Sequence, residues 1–261
     1  MASNTIVWCL AAVMVAALPT VWLVAARFMA EVPLVRGGFA WCADVFGLHH
    51  PVPPVLGGVA VMLTIVGGVR AVRCLDGWRT ARLTTPGPVL LADDERVYAC
   101  TLPGGGGRIV MSTGLDALLD RRERAVVLAH ERAHARFRHD RYLLVADLAV
   151  AVLPLLAPLA RRLRFSLERW ADEEAVAACG DRRFVAETLG KVAMTGIVPA
   201  GLLGFGGLGV SGRVSALLSP SPAPLATAGR IWAVAAVSAA VAFSFFQLHH
   251  LWMVLAAICS T

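Results

Sequence analysis

Charge is scarce in this chain, and one kind of positive charge is nearly missing. Only 16% of the 261 residues are Asp, Glu, Lys or Arg, against about a quarter in a soluble domain. Lys191 is the sole lysine, so the net charge of +6 is carried by arginine. Those arginines flank apolar runs and form no stripe interleaved with aromatics, which sets nucleic acid aside and favours membrane topology. The six cysteines contain no CxxC pair, and Cys9 and Cys259 lie inside apolar runs. That excludes a disulfide framework and a cysteine zinc site. Four consecutive glycines at 104–107 lack the Lys-Ser/Thr of a phosphate loop and read as a flexible turn. No internal repeat is present, which argues against a transporter.

What is abundant is apolar. Hydrophobic residues make up 57% of the chain, and the mean hydropathy is +0.68. Residues 6–26 form an uncharged run of 21, long enough to cross a hydrocarbon core. Without a basic leader or a small-residue cleavage site, it is expected to be an anchor, not a cleaved signal. Residues 37–48, interrupted by Asp44, read as an interfacial segment, and 52–69 as a second span closed by Arg70 and Arg73. Thirteen arginines lie in 70–141 against two in 27–53. The positive-inside rule makes the arginine-rich segment cytoplasmic. Residues 193–210, with six glycines, are a membrane-contacting loop or a weak span; 219–224 is a Ser/Pro linker. The last apolar run, 231–259, fits one tilted span, with or without an interfacial end. Three regions follow: membrane region 1–69, a domain at 70–220, and a linker with a terminal span at 221–261.

Within the middle region, 97–101 and 108–112 suggest two strands of a hairpin, whose edge could accept an extended chain. Asp120 and Glu123 have capping-box spacing, and 121–139 is expected to be one helix. That helix carries His130-Glu131-Arg132-Ala133-His134, an HExxH pentad. Residues four apart share a helix face, so His130 and His134 can hold one zinc ion with Glu131 beside it as general base. Glu168, on a second expected helix at 165–189, supplies the third ligand and leaves a fourth position for water. Asp172 is expected to accept a hydrogen bond from a ligand histidine and fix its tautomer. Glu173 and Glu174 are rival ligands with the wrong spacing. His139, five residues beyond His134, is expected to turn away from the metal face, and Asp140 to brace the fold. His49 with His50 and His249 with His250 are expected to be interfacial, since adjacent side chains do not face one way on a helix.

Residues 143–160 could nominally span a bilayer, yet they lie between His134 and Glu168. A crossing would separate those side chains by a core about 30 Å thick, whereas ligands of one zinc lie about 2 Å from it. Pro154 and Pro158 therefore predict a chain that enters, breaks and returns on the same side, and Asp147 argues against free lipid exposure.

The segment 107–140, GRIVMSTGLDALLDRRERAVVLAHERAHARFRHD, and the downstream 168–175, ERWADEEA, resemble the membrane zinc peptidases of the BlaR1-type family M56 and the related M48 group. The resemblance implies a mainly α, integral-membrane fold with a zincin-like metallopeptidase core and a short β-hairpin. It implies one catalytic Zn2+ held by His130, His134 and Glu168, Glu131 as catalytic residue, and Asp172 in support. Arg213, in GRVSALLSP, matches an arginine-containing segment of the family without an assignable role. The implied protein is a multi-pass metalloendopeptidase of a bacterial cell membrane, cutting a protein or peptide at the cytoplasmic face. A transcriptional repressor is a partner type of the family. With no large extracellular penicillin-binding domain in the sequence, antibiotic sensing is not expected. The competing function is a zinc-binding membrane regulator or scaffold without turnover. The oligomeric state is not legible.

Overall fold

The apolar runs and the charged middle region both fold mainly as helix in the computed structural model. It describes residues 2–45, 51–83, 89–103, 108–195 and 209–219, with isolated positions 234, 235, 238, 239, 242, 243 and 246. In order come α1 (Ala2–Met29), α2 (Arg36–Val45), α3 (Pro54–Leu83), β1 (Val89–Ala92), β2 (Ala99–Leu102) and β3 (Arg108–Ser112). Then follow α4 (Thr113–Leu118), α5 (Arg121–Arg136), α6 (His139–Val152), a 3-10 turn at Pro154–Leu156, α7 (Ala157–Cys179), α8 (Arg182–Thr195) and α9 (Val210–Leu218).

Two compact units form. One takes the described parts of Asn4–Cys74, Leu148–Ala157 and Leu225–Thr261. Two stretches here, Ser3–Met29 and Pro54–Thr80, are long and apolar enough to cross a membrane, by length and composition. Only 6% and 17% of their most apolar windows are buried, unlike the core helix of a soluble protein. Trp8, Met62 and Ile65 are more than half exposed. Helix α3 continues past Arg70 and Arg73 to Leu83. A missing side chain lets these pieces pack closely: a Cβ on Gly57 would lie 2.3 Å from the Phe28 ring, and Gly67 faces Val152. Of the segment expected to be interfacial, 37–48, the described residues up to Val45 belong to α2.

The second unit takes the described parts of Met1–Ser3, Leu75–Asp147 and Pro158–Pro224. Its sheet has the order β1-β3-β2, with β2 antiparallel to β3 in the expected hairpin. Strand β1, parallel to β3, is an addition to the expected pair. It makes β3 central, which explains why Ile109, Val110 and Met111 are all buried instead of alternating. Helix α5 packs on β2 and β3. Val126 and Val127 enter a core with Met111, Leu115, Ala175, Val185, Leu189 and Leu217. The capping box forms: Asp120 accepts from Arg122 N and Glu123 N, and Glu123 accepts from Asp120 N.

Two expected helices are broken. The motif helix ends at Arg136, not at 139, because Arg138 takes a left-handed backbone with φ of 53°. The expected helix at 165–189 is two helices, interrupted at Gly180 with φ of 75°, after which Asp181 accepts from Phe184 N. That break had a signal in the sequence, a glycine able to end one helix and an aspartate able to cap the next. The break expected near Pro154 is present, and Asp147 pairs with Arg164 of α7. Cys9, Cys74, Cys100 and Cys179 form no disulfide among the described residues. The C-terminal run at 231–259, apart from the isolated positions, the glycines at 104–107, most of 193–210 and 219–224, and the pairs His49–His50 and His249–His250 lie outside the described residues.

The loop before β2 is stitched to the start of α4. Thr113 Oγ1 donates to the Asp94 carbonyl, and Gly114 N donates to the same oxygen at 2.9 Å. A Cβ on Gly114 would lie 2.0 Å from the Glu95 carbonyl oxygen, a backbone atom that cannot swing aside. Gly114→Ala should therefore lower the unfolding free energy by about 1–3 kcal/mol, read from denaturant unfolding of the detergent-solubilised protein. An unchanged midpoint would show that the loop relaxes freely.

Candidate metal centre

The chemistry-bearing residues continue the same stripes that pack the core. On α5 the buried positions are Val126, Val127, His130, Glu131, Ala133 and His134. On α7 they are Ala160, Leu163, Leu167, Glu168, Ala171, Asp172 and Ala175. Both sets follow the helical three-to-four period, so apolar anchoring on either side fixes where the polar groups point.

His130, His134 and Glu168 offer donor atoms that all lie within 4.8 Å of one another, and all three are buried. The two Nε2 atoms are 3.1 Å apart. Glu168 Oε1 is 3.4 Å from His134 Nε2, and Oε2 is 3.6 Å from His130 Nε2. Ligands of a tetrahedral zinc at 2.0–2.1 Å stand about 3.3 Å from each other, so these separations match the edges of such a site. Glu168 Oε1 makes no hydrogen bond among the described residues although it is buried. An unsatisfied buried carboxylate oxygen beside two imidazole nitrogens is costly unless a cation completes it. The residues fit one divalent metal ion.

Each remaining atom of the ligand set has a support. His130 Nδ1 stands 3.1 Å from Asp172 Oδ1, the contact expected of Asp172. Asp172 in turn receives two bonds from Arg213, Nε at 2.8 Å and Nη2 at 2.6 Å. Arg213 Nη1 lies 2.7 Å from Glu168 Oε2. This guanidinium is fully buried on α9 and spans both carboxylates. Sequence reasoning left it without a role. The available signal was a lone arginine in an otherwise uncharged helix, which is a residue that needs a buried partner. Glu131, Glu168 and Asp172 bring three carboxyl groups to the Arg213 guanidinium, a surplus of negative charge that a divalent cation would balance.

Electrostatics follow from this arrangement. Burial alone would depress the His130 imidazole, yet the Asp172 and Glu168 carboxylates outweigh it and raise its pKa to about 9. His134 is held well below its ordinary value by burial, then by the positive charge of His130, His139 and Arg213. Burial would raise Asp172, but Arg213 and His130 bring it down to about 2. The cluster therefore attracts positive charge at His130 and keeps Asp172 an acceptor.

Glu131 is fully buried on the same face, and the Thr101 hydroxyl of β2 lies 2.7 Å from its Oε2. The rival carboxylates are elsewhere: Glu173 makes a four-contact pair with Arg182, and neither it nor Glu174 joins the cluster. Asp140 sits in the first turn of α6. His139 departs from expectation. It does not turn away; it is fully buried, with Nδ1 2.7 Å from His134 Nδ1. Burial, then the His130 charge, lower its pKa to about 4.

Arg213→Met should expose the cost of this ionic lattice. Removing one partner of a buried ion pair costs about 3–5 kcal/mol, so chelator-treated protein should lose that much unfolding free energy. The loss should shrink when zinc is added back, since the ion supplies the missing positive charge. Equal losses with and without zinc would show that the metal does not share this electrostatic site.

Comparison with known proteins agrees with the geometry. Residues 79–165 match the model of peptidase family M48, which supports a metallopeptidase domain. The matched segment contains His130, Glu131 and His134 and stops short of Glu168. No curated protein and no solved structure matches the chain. Of the two related groups that the sequence resembles, M48 is the one the family match supports.

Proposed function

We propose that this chain is a membrane-embedded zinc metalloendopeptidase that cleaves a protein or peptide at the cytoplasmic face of a bacterial membrane. The observation that carries the reading is the buried His130–His134–Glu168 triad with Glu131 next to it on the same helix face. Two imidazoles and one carboxylate leave a coordination position open to water, the donor set of a hydrolytic zinc site and not of a closed structural one. When bound, the zinc ion supplies Lewis acidity toward the scissile carbonyl and lowers the pKa of water.

The chain's own groups divide the remaining work. Glu131 takes a proton from the attacking water and delivers it to the departing amine nitrogen, so the peptide C–N bond breaks as a C–O bond forms. The Thr101 hydroxyl, 2.7 Å from Oε2, holds that carboxylate against α5. Asp172, pinned by Arg213, keeps the His130 proton on Nδ1 and leaves Nε2 as donor. Membrane placement is supported by the two apolar stretches, Ser3–Met29 and Pro54–Thr80. The cytoplasmic face rests on the thirteen arginines of 70–141. In this reading, the break at Leu153 returns the chain to the side it left, consistent with the approach of Glu168 to His134.

Glu131→Gln tests the assignment. Losing a general base removes about 10²–10⁴-fold of rate, so proteolysis of a peptide library by the reconstituted protein should fall by that factor while one zinc stays bound. Unchanged proteolysis would reject Glu131 as the base. Zinc bound to wild type without any cleavage would favour the scaffold function instead.

A further inference from the structure

Among the described residues, His139 is the buried histidine that the hydrolytic mechanism leaves unused. Continuation of α5 would have carried position 139 about 140° around the axis from His134. The left-handed residue Arg138 ends the helix instead and starts α6 at His139. That reversal brings Nδ1 of His139 to 2.7 Å from Nδ1 of His134. Around it stand Phe137, Tyr142 and Trp170, with ring centroids 6.2, 6.1 and 5.0 Å away. Its other nitrogen, Nε2, is buried with no hydrogen-bond partner among the described residues.

This pattern separates two roles. A residue needed only to fill an aromatic box would be better apolar, because a buried nitrogen without a partner is costly. The imidazole earns its place only through Nδ1. Two ring nitrogens at 2.7 Å share one proton, so one donates and the other accepts. His134 has its Nε2 in the metal cluster; its proton must then sit on Nδ1 and point at the lone pair of His139.

We infer that His139 is a positioning residue that accepts the Nδ1 proton of His134 and so fixes that ligand's tautomer and ring orientation for the metal. The inference rests on the metallopeptidase reading and extends it. The two ligand histidines are then supported unequally: His130 by a carboxylate clamped to Arg213, His134 by a neutral ring in an aromatic cage. A neutral acceptor orients its donor without adding negative charge, which leaves His134 the less basic ligand.

Three variants of the full-length, detergent-solubilised chain separate the roles, with zinc affinity read by competition against a chelator. His139→Phe keeps a ring for the cage and removes the acceptor; zinc affinity should fall 10–100-fold, the usual cost of losing such a support. His139→Leu is a second acceptor-free variant, should the phenylalanine fail to fold. His139→Asn keeps an acceptor oxygen near the Nδ1 position and loses the ring; it should bind zinc close to wild type. Wild-type affinity in the folded acceptor-free variants, or an asparagine variant as weak as they are, would overturn the inference. His130→Ala is the reference. If it loses zinc while His139→Phe does not, the role of His139 falls and the metal centre stands; if zinc persists in His130→Ala, both fall.

Discussion

The metal cluster depends on three carboxyl groups and one guanidinium held together out of water. Glu131, Glu168, Asp172 and Arg213 are all at most 2% exposed. Such groups are tolerated in a protein interior only when each is matched, and removal of one strands the others. Arg213 meets that requirement by bridging Asp172 and Glu168, which ties Glu168 to the group that stands against His130. The negative charge that remains favours a cation at the cluster.

Apolar packing sets the register in which this lattice forms. Val126 and Val127 on α5 and Ala175 on α7 belong to one buried cluster, together with residues of α8 and α9. One step along each stripe, the side chains change from aliphatic to ligating. A change in the packing of Leu189 or Leu217 would therefore be felt at the histidines without touching them. The sheet contributes at one point above all, where Thr101 of β2 reaches Glu131.

Local patterns in the sequence were readable wherever local geometry decides them. The pentad, the Asp120–Glu123 box, the β2–β3 hairpin and the break at Pro154 each follow from a period, a cap or a ring within a few residues. Glu168 and Asp172 were readable because they share a helix face at a four-residue interval. Arg213 was not, because its partner Asp172 lies 41 residues away and only the folded core brings them together. Strand β1 was missed for a related reason: four residues, VLLA, carry no alternation, and the partner is parallel and remote. His139 was misplaced by a different cause. Nothing at Arg138 announces a left-handed residue, since glycine or asparagine usually occupies that conformation.

The position of Arg213 also orders events during synthesis. Ribosomes add about 5–20 residues each second, so the 45 residues after Glu168, up to and including Arg213, take about 2–9 s to make. For most of that interval, from Asp172 onward, the polypeptide carries both histidines, Glu168 and Asp172 but lacks their basic counterpart. The guanidinium that joins Asp172 to Glu168 is thus the last of these charged groups to be made, and the two carboxylates are matched only once α9 has left the translation machinery and folded back.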